Sequence, residues 1–204
     1  MYKQMKFYRK SILTASLFIV AFISCKKDTE PDTTSPAYQI NQSEGLLIPA
    51  VVDLPANLPN GNTRVATYFA EGVQKYKAQV KTGSNPVTYE WVFVVPQADL
   101  YDATNKKAGT HGAGPFWQLS PNDSIFAQHF VPAKTATSPD GNSIDWLLLM
   151  PKTGKTPTGL FADVSYIQRI ATVGGKAPAV LPQGIHETAE VKYTAIYRFS
   201  KKNP

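Results

Sequence analysis

Cysteine is nearly missing from this chain of 204 residues, where Cys25 stands alone. A lone thiol excludes an intrachain disulfide, so stability has to come from apolar burial and strand pairing. Histidine is scarce too. His111, His129 and His186 lie far apart, and none forms the short-spaced pair that a zinc motif requires, so no metal and no cofactor are expected. There is no G-x-S-x-G elbow for a serine nucleophile, and no G-x-G-x-x-G that follows a strand and opens a helix. No long segment carries helical periodicity.

Charge of one sign is also lacking once the N-terminus is set aside. The chain holds 21 Lys and Arg against 15 Asp and Glu, a formal +6, but four of the bases and none of the acids fall within residues 1–24. The remainder keeps 17 bases against 15 acids, a net +2. Scattered lysines on so weakly charged a body give no electrostatic footprint for nucleic acid.

What is present begins with that N-terminus. Lys3, Lys6, Arg9 and Lys10 precede an apolar run from Ile12 to Ile23, and Ser24 precedes Cys25. The run is shorter than the roughly 20 residues of a membrane-spanning helix and suits a cleaved signal peptide. The pattern resembles a bacterial lipoprotein lipobox, with Phe22 where leucine is commoner. The resemblance implies a signal peptide over 1–24, lipid on Cys25 and attachment to a membrane through that lipid. Lys26 follows the cysteine in place of the aspartate typical of inner-membrane retention, which favours the outer membrane, and Lys26-Lys27-Asp28-Thr29-Glu30 resembles the charged tethers of surface lipoproteins, which implies exposure at the cell surface. Residues 25–43, polar and containing Pro31 and Pro36, read as a flexible tether.

From residue 44 to 204 the sequence alternates short apolar runs with Pro, Gly, Asn and Asp. Val191, Tyr193, Ala195, Tyr197 and Phe199 share one face of a half-buried strand, whereas Tyr89 to Val95 suits a strand buried on both faces. Further strands are expected at Leu160 to Tyr166 and around 65–71, 73–81, 116–119, 124–131 and 144–150. Turn chemistry stands at Ser120-Pro121-Asn122-Asp123 and at Pro139-Asp140-Gly141-Asn142, and a long loop runs from Gly174 to Gly184. The fold class this predicts is all-β: one antiparallel β-sandwich or partly closed β-barrel with long loops.

Five ordered blocks, among them Gly72-Val73-Gln74-Lys75-Tyr76, Gly109-Thr110-His111-Gly112-Ala113-Gly114-Pro115-Phe116-Trp117 and Gly159 to Arg169, resemble the domain of unknown function 3455 family. The resemblance implies a secreted or envelope domain and supplies no reaction.

The polar segment to inspect first is 109–117. Its glycines let the backbone approach a ligand, with Thr110, His111, Gly112 and Gly114 as candidate contacts and Phe116 and Trp117 as an apolar wall. The bland alternative is a hairpin connection with an exposed histidine and a core tryptophan. Asp99 and Asp102 are the acids nearest in sequence, either partners of His111 in a relay or caps of a local turn. The expected function is a lipid-anchored envelope module that binds a small molecule or glycan in an aromatic-lined site. An envelope hydrolase built on an acid and a histidine, and a structural or partner-binding envelope module, remain open at this stage.

Overall fold

In β8 (Thr188–Lys202) side chains alternate between two environments: Tyr193, Ala195, Tyr197 and Phe199 enter one buried cluster and Ile196 enters another. That alternation organises the molecule. The computed structural model describes residues 30–204, so the expected signal peptide, Cys25 and the first residues of the tether lie outside the described residues.

Pro36–Ser43 forms a helix, α1, and corrects the expectation of a tether reaching to residue 43. The Ser35 hydroxyl caps it by accepting from the Tyr38 amide, and Pro36 opens it with a fixed φ. Only Ile40 and Ser43 are buried, so two turns are too short to leave a periodic signal.

Seven strands precede β8: β1 (Asn62–Val80), β2 (Tyr89–Tyr101), β3 (Lys107–Gly112), β4 (Phe116–Ser120), β5 (Asp123–Ala136), β6 (Trp146–Pro151) and β7 (Tyr166–Gly174). Each pairs antiparallel with its neighbour in sequence, and β1 also pairs with β8 along fifteen residue pairs from Asn62↔Lys202 to Lys77↔Thr188. The ring is closed, so of the two expected arrangements the chain adopts the barrel. The segments expected at 65–71 and 73–81 are one strand running through Gly72. A Cβ there would strike the Gln97 carbonyl and Ala98, so this glycine allows β1 and β2 to approach and does not break the strand.

Inside the barrel, Tyr68, Leu100, Ile125, Ile167 and Phe199 pack together, and the segment between β6 and β7 closes that end with Phe161 and Val164. Phe161 and Phe199 have ring centroids 4.7 Å apart. Leu160 to Val164 is therefore not the expected strand: Gly159–Phe161 is a 3-10 turn, and Leu160 is 45% exposed. Outside, Phe69, Trp146, Leu148, Ile170 and Ile196 make a second cluster, covered by Ile40 of α1 and by Val52. The Gln168 side-chain amide donates to the Val52 carbonyl at 2.8 Å and fastens that cover.

The cover reverses two expectations. β8 is buried on both faces from Ala195 to Ser200, because α1 lies over its outer side, while Phe93 and Val94 in β2 are each 50% exposed. Alternation tells which residues share a face; distant segments decide which face stays wet.

Candidate functional site

His111 and Trp117 stand opposite each other in the β3–β4 ladder, and both point inward. The imidazole stacks on the indole with centroids 4.6 Å apart and planes 17° from parallel. The Tyr197 ring meets Trp117 edge-on at 5.1 Å and His111 at 4.9 Å. These three rings form one side of an interior cavity of about 200 Å³. Every strand contributes to its lining: Gln74 from β1, Pro96 from β2, His129 from β5, Leu149 from β6 and Arg169 from β7 complete the circle begun by His111, Trp117 and Tyr197. Gln74, Phe93, His129, Leu147 and Arg169 also line a wider cleft of about 360 Å³ that reaches Asp145 and Lys176, and the cavity opens by this route.

Breaks in strand register flank the lining. β1 and β2 shift between Lys75 and Tyr76, next to Gln74; β5 and β6 shift directly after His129; β7 and β8 shift directly after Ile170, one residue beyond Arg169. Bulges twist a strand and re-aim side chains, and they concentrate at barrel rims.

The structure brings His111, Trp117 and Gly114 of the expected site to this cavity. Gly114 turns the chain between β3 and β4 at φ 124, where a side chain would be strained and would crowd the Phe126 ring. Gly112 ends β3 opposite Phe116, beside the cavity and not in its lining. The other candidates lie elsewhere. Thr110 and Phe116 alternate with the two inward residues and therefore face out; Thr110 is exposed, and Phe116 stacks on Phe126 at 5.4 Å. Asp99 pairs with Lys107 at 2.8 Å on the outer surface. The Asp102 carboxylate accepts from the Thr104 amide and hydroxyl and from the Lys106 amide, which holds its pKa below the usual range and makes it a turn cap. Neither aspartate is a hydrogen-bond partner of His111.

Burial pulls the His111 pKa down to about 4, against a smaller opposing pull from its hydrogen bond to the Phe116 carbonyl; the Arg169 charge lowers it further. The ring is neutral at pH 7. Nδ1 lies 2.9 Å from the Phe116 oxygen and so carries the proton, which leaves Nε2 as an acceptor. The exposed histidine of the bland reading is thus replaced by one that is 4% exposed. Burial also raises the pKa of the Tyr197 hydroxyl, which remains a donor. Among the described residues, no group of three His, Cys, Asp or Glu side chains gathers as a metal site.

Sequence reasoning passed over Gln74, His129, Tyr197 and Arg169 as site residues. Arg169 does not pair with Asp163, which lies in an exposed turn; its guanidinium donates from Nε and Nη2 to the Asp145 carbonyl at 3.0 and 2.8 Å. An arginine two residues after the core position Ile167, on the same face of a strand, was the available signal.

A sequence family described as "Protein of unknown function (DUF3455)" matches residues 59–201. The chain belongs to that family. The DUF3455 match runs from just before β1 nearly to the end of β8, so it coincides with the barrel and leaves out α1. No curated protein and no solved structure matches the chain at a significant level.

Proposed function

We propose that this chain is a lipid-anchored envelope protein whose barrel binds a small molecule in the interior cavity. The observation that carries the reading is a set of unanswered donors. Gln74 Nε2, Trp117 Nε1 and the Tyr197 hydroxyl are buried without a partner in good hydrogen-bond geometry among the described residues, although the Tyr193 hydroxyl neighbours Gln74 and Tyr197 and Arg169 neighbours Tyr197, and all three side chains line the cavity. Leaving one such group unmet costs about 1–3 kcal/mol, so these donors call for solvent or a ligand. The surrounding surface is mostly aromatic and aliphatic, the composition of a ligand pocket with a few convergent polar groups. A dry cavity of roughly 150 Å³ accepts a benzene ring, so this space suits one ring, whether of an aromatic compound or of a single sugar.

The envelope assignment rests on the basic and apolar segment before Cys25, with Lys26 after it favouring the outer membrane. A hydrolase has less support, because the Nδ1 proton of His111 meets a carbonyl and the candidate acids face away from it.

The binding reading is tested by thermal unfolding of the full chain against a panel of ring-sized compounds. Some compound should raise Tm, and Tyr197→Phe together with Gln74→Ala should abolish that shift. A panel without effect, or a shift that both variants keep, rejects the reading. For the anchor, Cys25→Ser should abolish incorporation of a labelled lipid analogue; a labelled variant rejects it.

A further inference from the structure

The cavity contains one formal charge. Arg169 enters its wall from β7, and no carboxylate lies within ion-pair reach of the guanidinium among the described residues. A guanidinium has five N–H donors in a rigid fork. The Asp145 carbonyl occupies two of its nitrogens, Nε and Nη2, and leaves Nη1 uncommitted. A neutral carbonyl also leaves the positive charge unbalanced in a site where Arg169 is only half-exposed to solvent.

The rest of the polar lining holds no negative charge, with His111 Nε2 and Gln74 Oε1 as neutral acceptors among the donors. Gln74 Nε2, Trp117 Nε1 and the Tyr197 hydroxyl are donors, and no Asp or Glu lines the inner cavity. The outer cleft adds Lys176 and Arg169 against Asp145 alone. Such a surface repels a metal cation, and its arginine gains less from a neutral sugar hydroxyl than from a carboxylate, which can accept two parallel charge-assisted hydrogen bonds. The His111 and Trp117 rings, stacked on each other and met by Tyr197, form the aromatic wall beside these donors. From this geometry, and resting on the binding function proposed above, we infer that the ligand is a small organic acid: a carboxylate carried on a six-membered ring, with its oxygens on Arg169 and its ring against the stack. A planar fork matches a carboxylate through two parallel hydrogen bonds, which is why arginine and not lysine suits the position.

Two sources share this chemistry, an aromatic acid and a sugar acid, and two matched pairs of probes separate them. Calorimetric titration of the full chain at pH 7 compares benzoate with benzamide and glucuronate with glucose. At least one acid should bind tenfold or more tighter than its uncharged partner, with weaker affinity at higher salt. Arg169→Gln should bring the acid to the affinity of that partner. Arg169→Lys, which keeps the charge and loses the fork, should retain part of the preference and serves as the second variant if Arg169→Gln does not fold. Preference for benzoate assigns an aromatic acid, and preference for glucuronate a sugar acid. Equal affinity of acid and partner, binding by neither acid, or a preference that survives Arg169→Gln overturns the inference. If neutral compounds still bind through Gln74 and Tyr197, the cavity remains a binding site and only its charge preference has failed; if no compound of any kind binds, the binding function itself has failed.

Discussion

Arg198 on β8 donates from Nη2 to the Ser43 carbonyl at 2.6 Å, which places a guanidinium against the last turn of α1. Helix ends leave carbonyls unpaired and carry partial negative charge, and α1 has no basic residue of its own there. The barrel therefore supplies the cap, and Glu44 joins Arg198 to Arg64 through contacts of 3.3 and 3.0 Å.

A chain beginning at Pro31 should consequently be more stable than one beginning at Gln42. The shorter chain loses Ile40 from the outer cluster, worth about 1.5–3 kcal/mol as a buried aliphatic side chain. Urea unfolding followed by circular dichroism measures the difference, and coincident midpoints would show that α1 adds nothing to the barrel.

Trp117→Ala should destabilise the fold by about 3–5 kcal/mol, the range for truncating a core aromatic. The indole is fully buried and meets the rings of His111, Tyr197 and Phe199. Chemical denaturation is the measurement; a loss below about 1 kcal/mol would mean that the cavity has room to collapse around the deletion.

Stability should fall as pH drops from 6.5 toward 4. The unfolded chain takes up a proton on His111 near its ordinary 6.5, whereas the folded chain resists until about 4, so the contribution is complete above that window and lost within it. The size is about 3 kcal/mol at 1.36 kcal/mol per pH unit. Wild type and His111→Phe, compared by urea midpoint across the window, should converge by that amount; parallel curves refute a buried neutral imidazole.

Variants on the outer face provide a control for the cavity. Thr110→Val and Asp99→Asn should leave the affinity for any cavity ligand unchanged within about twofold, since surface substitutions away from special features stay within about 0.5 kcal/mol. A tenfold loss by either would move the binding surface to the outside of β2 and β3.

The all-β class was legible because period-two alternation and turn chemistry are local signals. Ser120 to Asp123 turns as expected, with the Ser120 hydroxyl hydrogen-bonded to the Asp123 carboxylate at 2.5 Å. His111 and Trp117 stood out through the glycines around them. Their partners did not, because Gln74, Arg169 and Tyr197 come together only when the ring closes, and no spacing between residues 74 and 197 encodes that meeting. Phe116 was misjudged for the opposite reason: it neighbours Trp117 in sequence, and in a strand neighbours face opposite ways. The apolar positions from Leu160 to Val164 mimic a strand, but the hydrogen bond from the Phe161 amide to the Thr158 carbonyl curls them into a turn that fills the barrel end.

Because β1 is bonded on both sides, to β2 and to β8, the ring closes, but the short β3 covers only Ala98 to Tyr101 of β2 and leaves Tyr89 to Gln97 paired on the β1 side alone among the described residues. An extended peptide can add a strand only along such an uncovered stretch, where Phe93 and Val94 are half-exposed, and not around the rest of the closed ring. Backbone recognition is thereby confined to that one side of β2, and elsewhere a partner meets side chains, either on the outer surface or at the mouth beside Arg169 and Lys176.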